Sequence, residues 1–278
     1  MKYFRLCCTV LCLWPGMLSA APLERILALT PHACEMLYAI GASANIVGAV
    51  DYCDYPESAT HLPRVGGYTG INVEAALRLH PDAAIVMNRN VKGITQLEKM
   101  GVKIISSNPV DFEAVFQDIL RMGALTGHEL KAKALVHKQR LSLERIRHFS
   151  NQFGADKIRV FYELWHDPIM TAGGPSFITA LIKEAGGYNI FADVGLETPH
   201  VNVEAVIRAH PDIIIIPLEK RNLKERQVFW EHWLGKGNVR FAAINPDLLH
   251  RPGPRLIEGL ELLQQALHDS SVLVQSRP

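Results

Sequence analysis

The sequence predicts an α/β protein of two similar lobes, each built on a mostly parallel sheet, with one long α-helix joining them. Three observations carry this: a segment that occurs twice, an unbroken apolar run inside each copy, and one uninterrupted helix-forming stretch between the two. Residues 72–87 read Asn-Val-Glu-Ala-Ala-Leu-Arg-Leu-His-Pro-Asp-Ala-Ala-Ile-Val-Met, and residues 202–217 read Asn-Val-Glu-Ala-Val-Ile-Arg-Ala-His-Pro-Asp-Ile-Ile-Ile-Ile-Pro. Nine of the sixteen positions are identical at an offset of 130, where unrelated segments would match at about one, so the chain carries an internal repeat. Pro31 to Ile46 resembles Pro175 to Ile190, and Val102 to Pro109 resembles Val239 to Pro246, in the same order. The 278 residues fit two domains at roughly 150 residues each.

Residues 1–20 read as a secretory signal peptide. Lys2 and Arg5 begin it, Leu6 to Trp14 form its apolar stretch, and Ser19, Ala20 and Ala21 supply small residues at the cut. The apolar run is far shorter than the ~20 residues that cross a bilayer. The first lobe follows over residues 23–127, with strands expected near 26–30, 46–50, 83–87 and 102–106. Residues 128–154 form the joining helix: His128 to Phe153 contain no Pro or Gly, Thr126 and Glu129 have capping-box spacing, and Gly154 offers a stop. About 26 residues span ~40 Å, which predicts a stiff connection and modest closure of the lobes. The second lobe occupies residues 155–270, with strands near 158–163, 188–191, 212–216 and 239–244. Within each repeat Asn72 or Asn202 is an N-cap, Glu74 or Glu204 complements the positive helix end, and Pro81 or Pro211 stops the helix. The apolar runs Ala83–Met87 and Ile213–Ile216 suit parallel strands covered on both faces, which makes each lobe Rossmann-like.

Charge and motifs narrow the function. With 29 Lys+Arg against 28 Asp+Glu, the chain lacks the basic surplus that phosphate backbones require, so no nucleic acid partner is expected. Export would leave Cys34 and Cys53 where thiols oxidise; a bridge between them and a pair of small buried thiols both stand as readings. His80 and His210 sit at matching places in separate lobes and cannot converge on one ion, so they are read as turn formers and no metal site is expected. Gly173-Gly174-Pro175-Ser176 lacks the Lys-Ser/Thr of a phosphate loop and reads as a helix-entry turn. No nucleophile elbow or acid/base constellation is present, and no catalytic residue is assigned. Ligand contacts should come from loops at the strand ends that face the gap between the lobes. Trp165 and His166, in Glu-Leu-Trp-His-Asp-Pro, are candidates from one such loop.

An exported chain of two duplicated α/β lobes joined by one helix, with Asn-x-Glu and His-Pro-Asp in each, resembles the helical-backbone class of substrate-binding proteins that serve ABC importers. Within that class it resembles the periplasmic cobalamin-binding family through Asp51-Tyr-Cys-Asp-Tyr-Pro56, Gly67-Tyr-Thr-Gly70, Gly173-Gly-Pro-Ser176 and Pro254-Arg255. The resemblance implies a monomeric, non-enzymatic periplasmic receptor with cobalamin as a transported ligand, not a resident cofactor. It implies aromatic ligand contacts from Tyr52 and Tyr68 and polar ones from Asp247 and Arg251. It also implies that Glu74 and Glu204 dock the receptor on arginines of a permease dimer, which works with its ATPase subunits. Haem and ferric-siderophore binders share the architecture and stand as alternative ligand classes, with Tyr68, His166, His200 or His250 as candidate iron ligands. A two-domain α/β enzyme with its site between the lobes is the further alternative.

Overall fold

The computed structural model describes residues 21–67, 69–153, 157–217 and 223–268. The signal segment 1–20, the candidate Tyr68 and the proposed helix stop Gly154 lie outside the described residues. In chain order the first half contains β1 (Ile26–Ala28), α1 (Pro31–Ala39), β2 (Ile46–Ala49), the short strands β3 (Gly66–Gly67) and β4 (Gly70–Ile71), α2 (Val73–Arg78), β5 (Ala83–Val86), α3 (Ile94–Lys99), β6 (Lys103–Ser106) and α4 (Phe112–Thr126). Its main sheet has the order β2-β1-β5-β6 and is parallel throughout. After α5 (Glu129–Ser150) come β7 (Ile158–His166), β8 (Ile169–Thr171), α6 (Phe177–Glu184), β9 (Gly187–Asn189), α7 (Val203–Arg208), β10 (Ile213–Pro217), α8 (Leu223–Leu234), β11 (Arg240–Ile244), α9 (Pro246–Leu249) and α10 (Leu256–His268). Here β11, β10, β7 and β9 run parallel in that order, and β8 folds back antiparallel on β7.

The repeat is one physical device built twice. Asn72 and Asn202 each accept a hydrogen bond from the backbone three residues on, at 3.0 and 2.9 Å, and so cap α2 and α7. His80 and His210 close these helices in the left-handed region, at φ 46° and 44°. The following aspartates tie each helix to its sheet: Asp82 accepts from the Arg25 N–H at 2.9 Å and Asp212 from the Arg159 N–H at 2.7 Å. Each arginine then donates its side chain to the last carbonyls of the helix, Arg25 to Leu79 and His80, Arg159 to Ala209 and His210. The His-Pro-Asp triplet is therefore a helix-to-strand corner, and Arg25 and Arg159 are a further repeated pair that reading the aligned segments alone did not single out.

Two expectations change. Thr126 is not the cap of the joining helix. Gly127 adopts φ 71° and ends α4 there, and the Thr126 hydroxyl donates back to the Met122 carbonyl at 2.7 Å. His128 precedes α5 without a side-chain cap, so the helix runs from Glu129 to Ser150 and spans ~33 Å. The second change is that β7 extends past residue 163 to His166 and turns into β8, where a loop was expected.

Helix α5 is fastened to both halves. Its apolar face, including Val136, Leu143 and Ile146, joins a core that contains residues of α1, α4, α6 and α10. Arg140 pairs with Glu113 of α4 at 2.6 Å, and Arg147 with Glu184 of α6 at 2.7 Å. The halves also touch directly, with the Phe112 and Phe177 rings 5.7 Å apart.

Candidate functional site

The carboxyl ends of strands from both lobes open on one cleft of about 690 Å³, the place where open parallel sheets collect ligands. Leu29 and Thr30 follow β1, Val50 and Tyr52 follow β2, and Met87 and Asn88 follow β5. Pro246, Asp247, His250 and Arg251 face them from the segment after β11. Most of the first-lobe wall is apolar, and Tyr52 and Met87 project into it half-exposed, at 44% and 43%. Asn245 caps α9 by accepting from the Asp247 N–H at 2.9 Å, which places Asp247 and Arg251 one turn apart and lets them pair at 2.9 Å.

Arg251 is not a lone donor waiting for a ligand. Its Nη1 donates to Glu35 at 3.1 Å and Asp54 at 2.6 Å, and its Nη2 to Asp54 at 3.2 Å. With Asp247, carboxylates surround the outer edge of the guanidinium. Glu35, a buried residue of α1, also takes both nitrogens Nη2 and Nε of Arg255, at 2.7 and 2.9 Å, and the Tyr55 ring lies 3.9 Å beneath Arg255. Glu35 and Asp54 of the first lobe thus reach across to two guanidiniums of the second, where Asp247 pairs with Arg251 from its own segment. Burial alone would lower the Arg251 pKa, but the hydrogen bond to Asp54 and the fields of Asp247 and Asp54 win and raise it. Burial likewise works to raise Asp54, and its bond to Arg251 overrides this and holds it below the usual carboxylate range.

His32, also on the cleft wall, is buried, and burial pushes its pKa from 6.5 down to about 4 against the raising effect of its bond to Ser107. Its Nδ1 lies 2.8 Å from the Thr30 hydroxyl and its Nε2 2.9 Å from Ser107 Oγ. The Ser107 hydroxyl donates to Asp118 at 2.6 Å. Its single hydrogen is thereby used, so His32 Nε2 must carry the proton and donate to Ser107, and Nδ1 accepts from Thr30. This Ser, His and Asp grouping has its protons pointing the wrong way for a nucleophile, because the base nitrogen that would deprotonate the serine is itself a donor. On the second lobe His250 Nε2 is 2.8 Å from the Tyr162 hydroxyl.

The other sequence candidates are spread around this cleft. Trp165 and His166 lie exposed on the β7–β8 hairpin, Trp165 donating to the Asp167 carbonyl at 2.8 Å, and His200 bridges Met170 on the same hairpin. None of the three is among the residues that line this volume; Trp165 and His166 stand at the carboxyl end of β7. Cys34 and Cys53 form a disulfide with Cα atoms 6.0 Å apart. Glu74 and Glu204 are exposed at equivalent places in the first turns of α2 and α7, and Glu74 makes a loose surface pair with Arg78 at 3.0 Å. Among the described residues no three His, Cys, Asp or Glu side chains converge as a metal site. Glu35, Asp54 and His32 escaped sequence reading. The one available signal for Glu35 was a lone charge inside Pro-His-Ala-Cys-Glu-Met-Leu-Tyr-Ala, an otherwise core-like helix.

Two duplicated α/β lobes, a joining helix and a gap between their strand ends define a bilobal fold with a ligand-sized cleft. The chain belongs to the periplasmic binding protein family, whose model matches residues 26–229. Within it the chain is 30% identical over 256 residues to the vitamin B12-binding protein of Photorhabdus laumondii, covering 91% of this chain and 90% of that one. It is 30% identical over 263 residues to the vitamin B12-binding protein of Vibrio cholerae serotype O1, with coverage of 91% and 93%. The crystal structure of the periplasmic vitamin B12 binding protein BtuF of Vibrio cholerae superposes with a TM-score of 0.78 at 29% identity, over 88% of this chain and 97% of that one. The heme-binding protein BhuT, solved with two hemes, shares the fold with a TM-score of 0.78 at 23% identity.

Proposed function

We propose that this protein is a periplasmic receptor that captures cobalamin, or a related corrinoid, between its lobes and delivers it to an ABC importer. The observation that carries the ligand class is the charge state of the cleft. Arg251, the arginine lining it, is already compensated by Glu35, Asp54 and Asp247, so a ligand bearing carboxylates would meet a net negative cluster. A corrinoid carries neutral amide arms, whose N–H groups suit the half-exposed carboxylate of Asp247 on the cleft wall and whose ring suits Tyr52 and the apolar wall. The relatives named for vitamin B12 support the same reading.

Residues 1–20 direct export and are removed; residues 23–127 and 155–270 form the lobes, and residues 128–154 join them. The receptor acts as a monomer, and Glu74 and Glu204 present one carboxylate per lobe to the two halves of a permease dimer whose ATPase subunits drive uptake. Pairs of this kind set orientation and association rate. Calorimetry of the purified protein with cyanocobalamin tests the core of the proposal. Saturable heat and co-elution are expected; no heat and no co-elution, with a Soret shift on adding haem, would replace cobalamin by haem.

A further inference from the structure

The loop after β2 places four functions on four consecutive residues. Tyr52 faces the cleft, Cys53 is bridged to Cys34 of α1, Asp54 grips Arg251, and Tyr55 lies against Arg255. Beside Cys34 in α1 stands Glu35, which grips the same Arg251 Nη1 that Asp54 does, at 3.1 and 2.6 Å. Two carboxylates that share one nitrogen repel each other, and the loop carrying Asp54 has no regular secondary structure. Arg64 holds the loop from outside by donating to the Val50 and Cys53 carbonyls at 2.7 and 3.0 Å. The disulfide is the covalent link that fixes the loop to α1, with both cysteines fully buried.

We propose that the Cys34–Cys53 bridge is a positioning element of the ligand site. It forces Glu35 and Asp54 together on one guanidinium, and so presents Tyr52 and Arg251 to the ligand in a fixed arrangement. The inference rests on the cobalamin reading for its ligand assay and has a second readout that does not. A group already held in place loses little freedom on binding, so removing the bridge weakens affinity without removing any ligand contact.

The test is Cys34→Ala/Cys53→Ala, checked for folding by circular dichroism at 20 °C. The variant is expected to bind cyanocobalamin about tenfold more weakly than the bridged protein. In an Arg251→Ala background the same change should cost less than about threefold, because of the two positioned groups only Tyr52 remains. A bridge that acts on stability alone would lower the melting temperature and leave affinity at 20 °C unchanged, and that result would overturn the proposal. The second readout is the ¹⁵N arginine side-chain spectrum of the ligand-free protein, with Arg251 assigned by its loss in Arg251→Lys. Separate, slowly exchanging Nη signals are expected with the bridge and averaged signals without it; equal signals in both overturn the proposal. Should the bridged protein itself fail to bind cyanocobalamin, the functional reading falls while this spectrum still decides the inference. If the alanine variant does not fold, Cys34→Val/Cys53→Ala, which also lacks the bridge and fills more of the buried space, takes its place. It is expected to average the Arg251 signals, and unchanged signals count against the proposal.

Discussion

Glu35→Ala is the sharpest probe of how the lobes are held. In the native protein its side chain is 2% exposed, and those of Arg251 and Arg255 are 11% and 14% exposed. Removing one member of a buried ion cluster leaves its partners charged and desolvated, which costs about 3–5 kcal/mol. Arg251 keeps Asp54 and Asp247, so the penalty falls mainly on Arg255, whose recorded bonds from Nη2 and Nε both end on Glu35 and which retains the Tyr55 ring. That places the loss near ~3 kcal/mol, or roughly 6–12 °C in melting temperature for a chain of this size. Urea unfolding followed by the fluorescence of Trp165, Trp230 and Trp233 measures it. Adding Arg255→Met to Glu35→Ala should recover at least ~1 kcal/mol, since an apolar side chain no longer carries an unpaired charge. A loss under ~1 kcal/mol in the single variant, or no recovery in the double, would refute the claim that this cluster is desolvated and bridges the lobes.

Three further outcomes are expected. Folded His32 has a pKa of about 4 against 6.5 when unfolded, so the unfolded chain gains a proton first as pH falls. The stability present above pH 6.5 is therefore lost on acidification, by ~2–3 kcal/mol between pH 7 and 4.5, and urea unfolding of His32→Gln should show a pH dependence flatter by that amount. Asn72→Ala and Asn202→Ala should each destabilise by about 1 kcal/mol, because each side chain accepts the same hydrogen bond from the backbone three residues on, at 3.0 and 2.9 Å; an unchanged urea midpoint in either variant would contradict its capping role. Glu74→Lys together with Glu204→Lys is expected to abolish cobalamin uptake in cells while leaving affinity for cyanocobalamin within twofold, and undiminished uptake would exclude these residues from docking.

The lobes, their parallel strands and the repeated corner were legible in the sequence because each is local. A capping asparagine, a helix-stopping proline and an apolar run act within a few residues of themselves, and duplication wrote the pattern twice. The exposed glutamates at the first turns of α2 and α7 could be placed for the same reason. The thresholds of individual elements were less secure: Gly127 turns the chain before Glu129, so the spacing of Thr126 and Glu129 meant nothing, and β7 ran on into a hairpin that carries Trp165 and His166 where a loop was expected.

The electrostatics of the site emerged only from the folded arrangement. Asp247 and Arg251 could be named from the family resemblance, but their state depends on Glu35 and Asp54, which lie 216 and 197 residues away from Arg251 in the chain. Neither the pairing of Cys34 with Cys53 nor the neutral state of His32 follows from spacing, because both depend on which groups share a small desolvated volume. Local patterns along the chain were enough to specify two lobes and the meeting of their strand ends. The contacts across that meeting point, where Coulomb interactions in a low-dielectric gap outweigh local preference, made it a cleft with its arginine already neutralised.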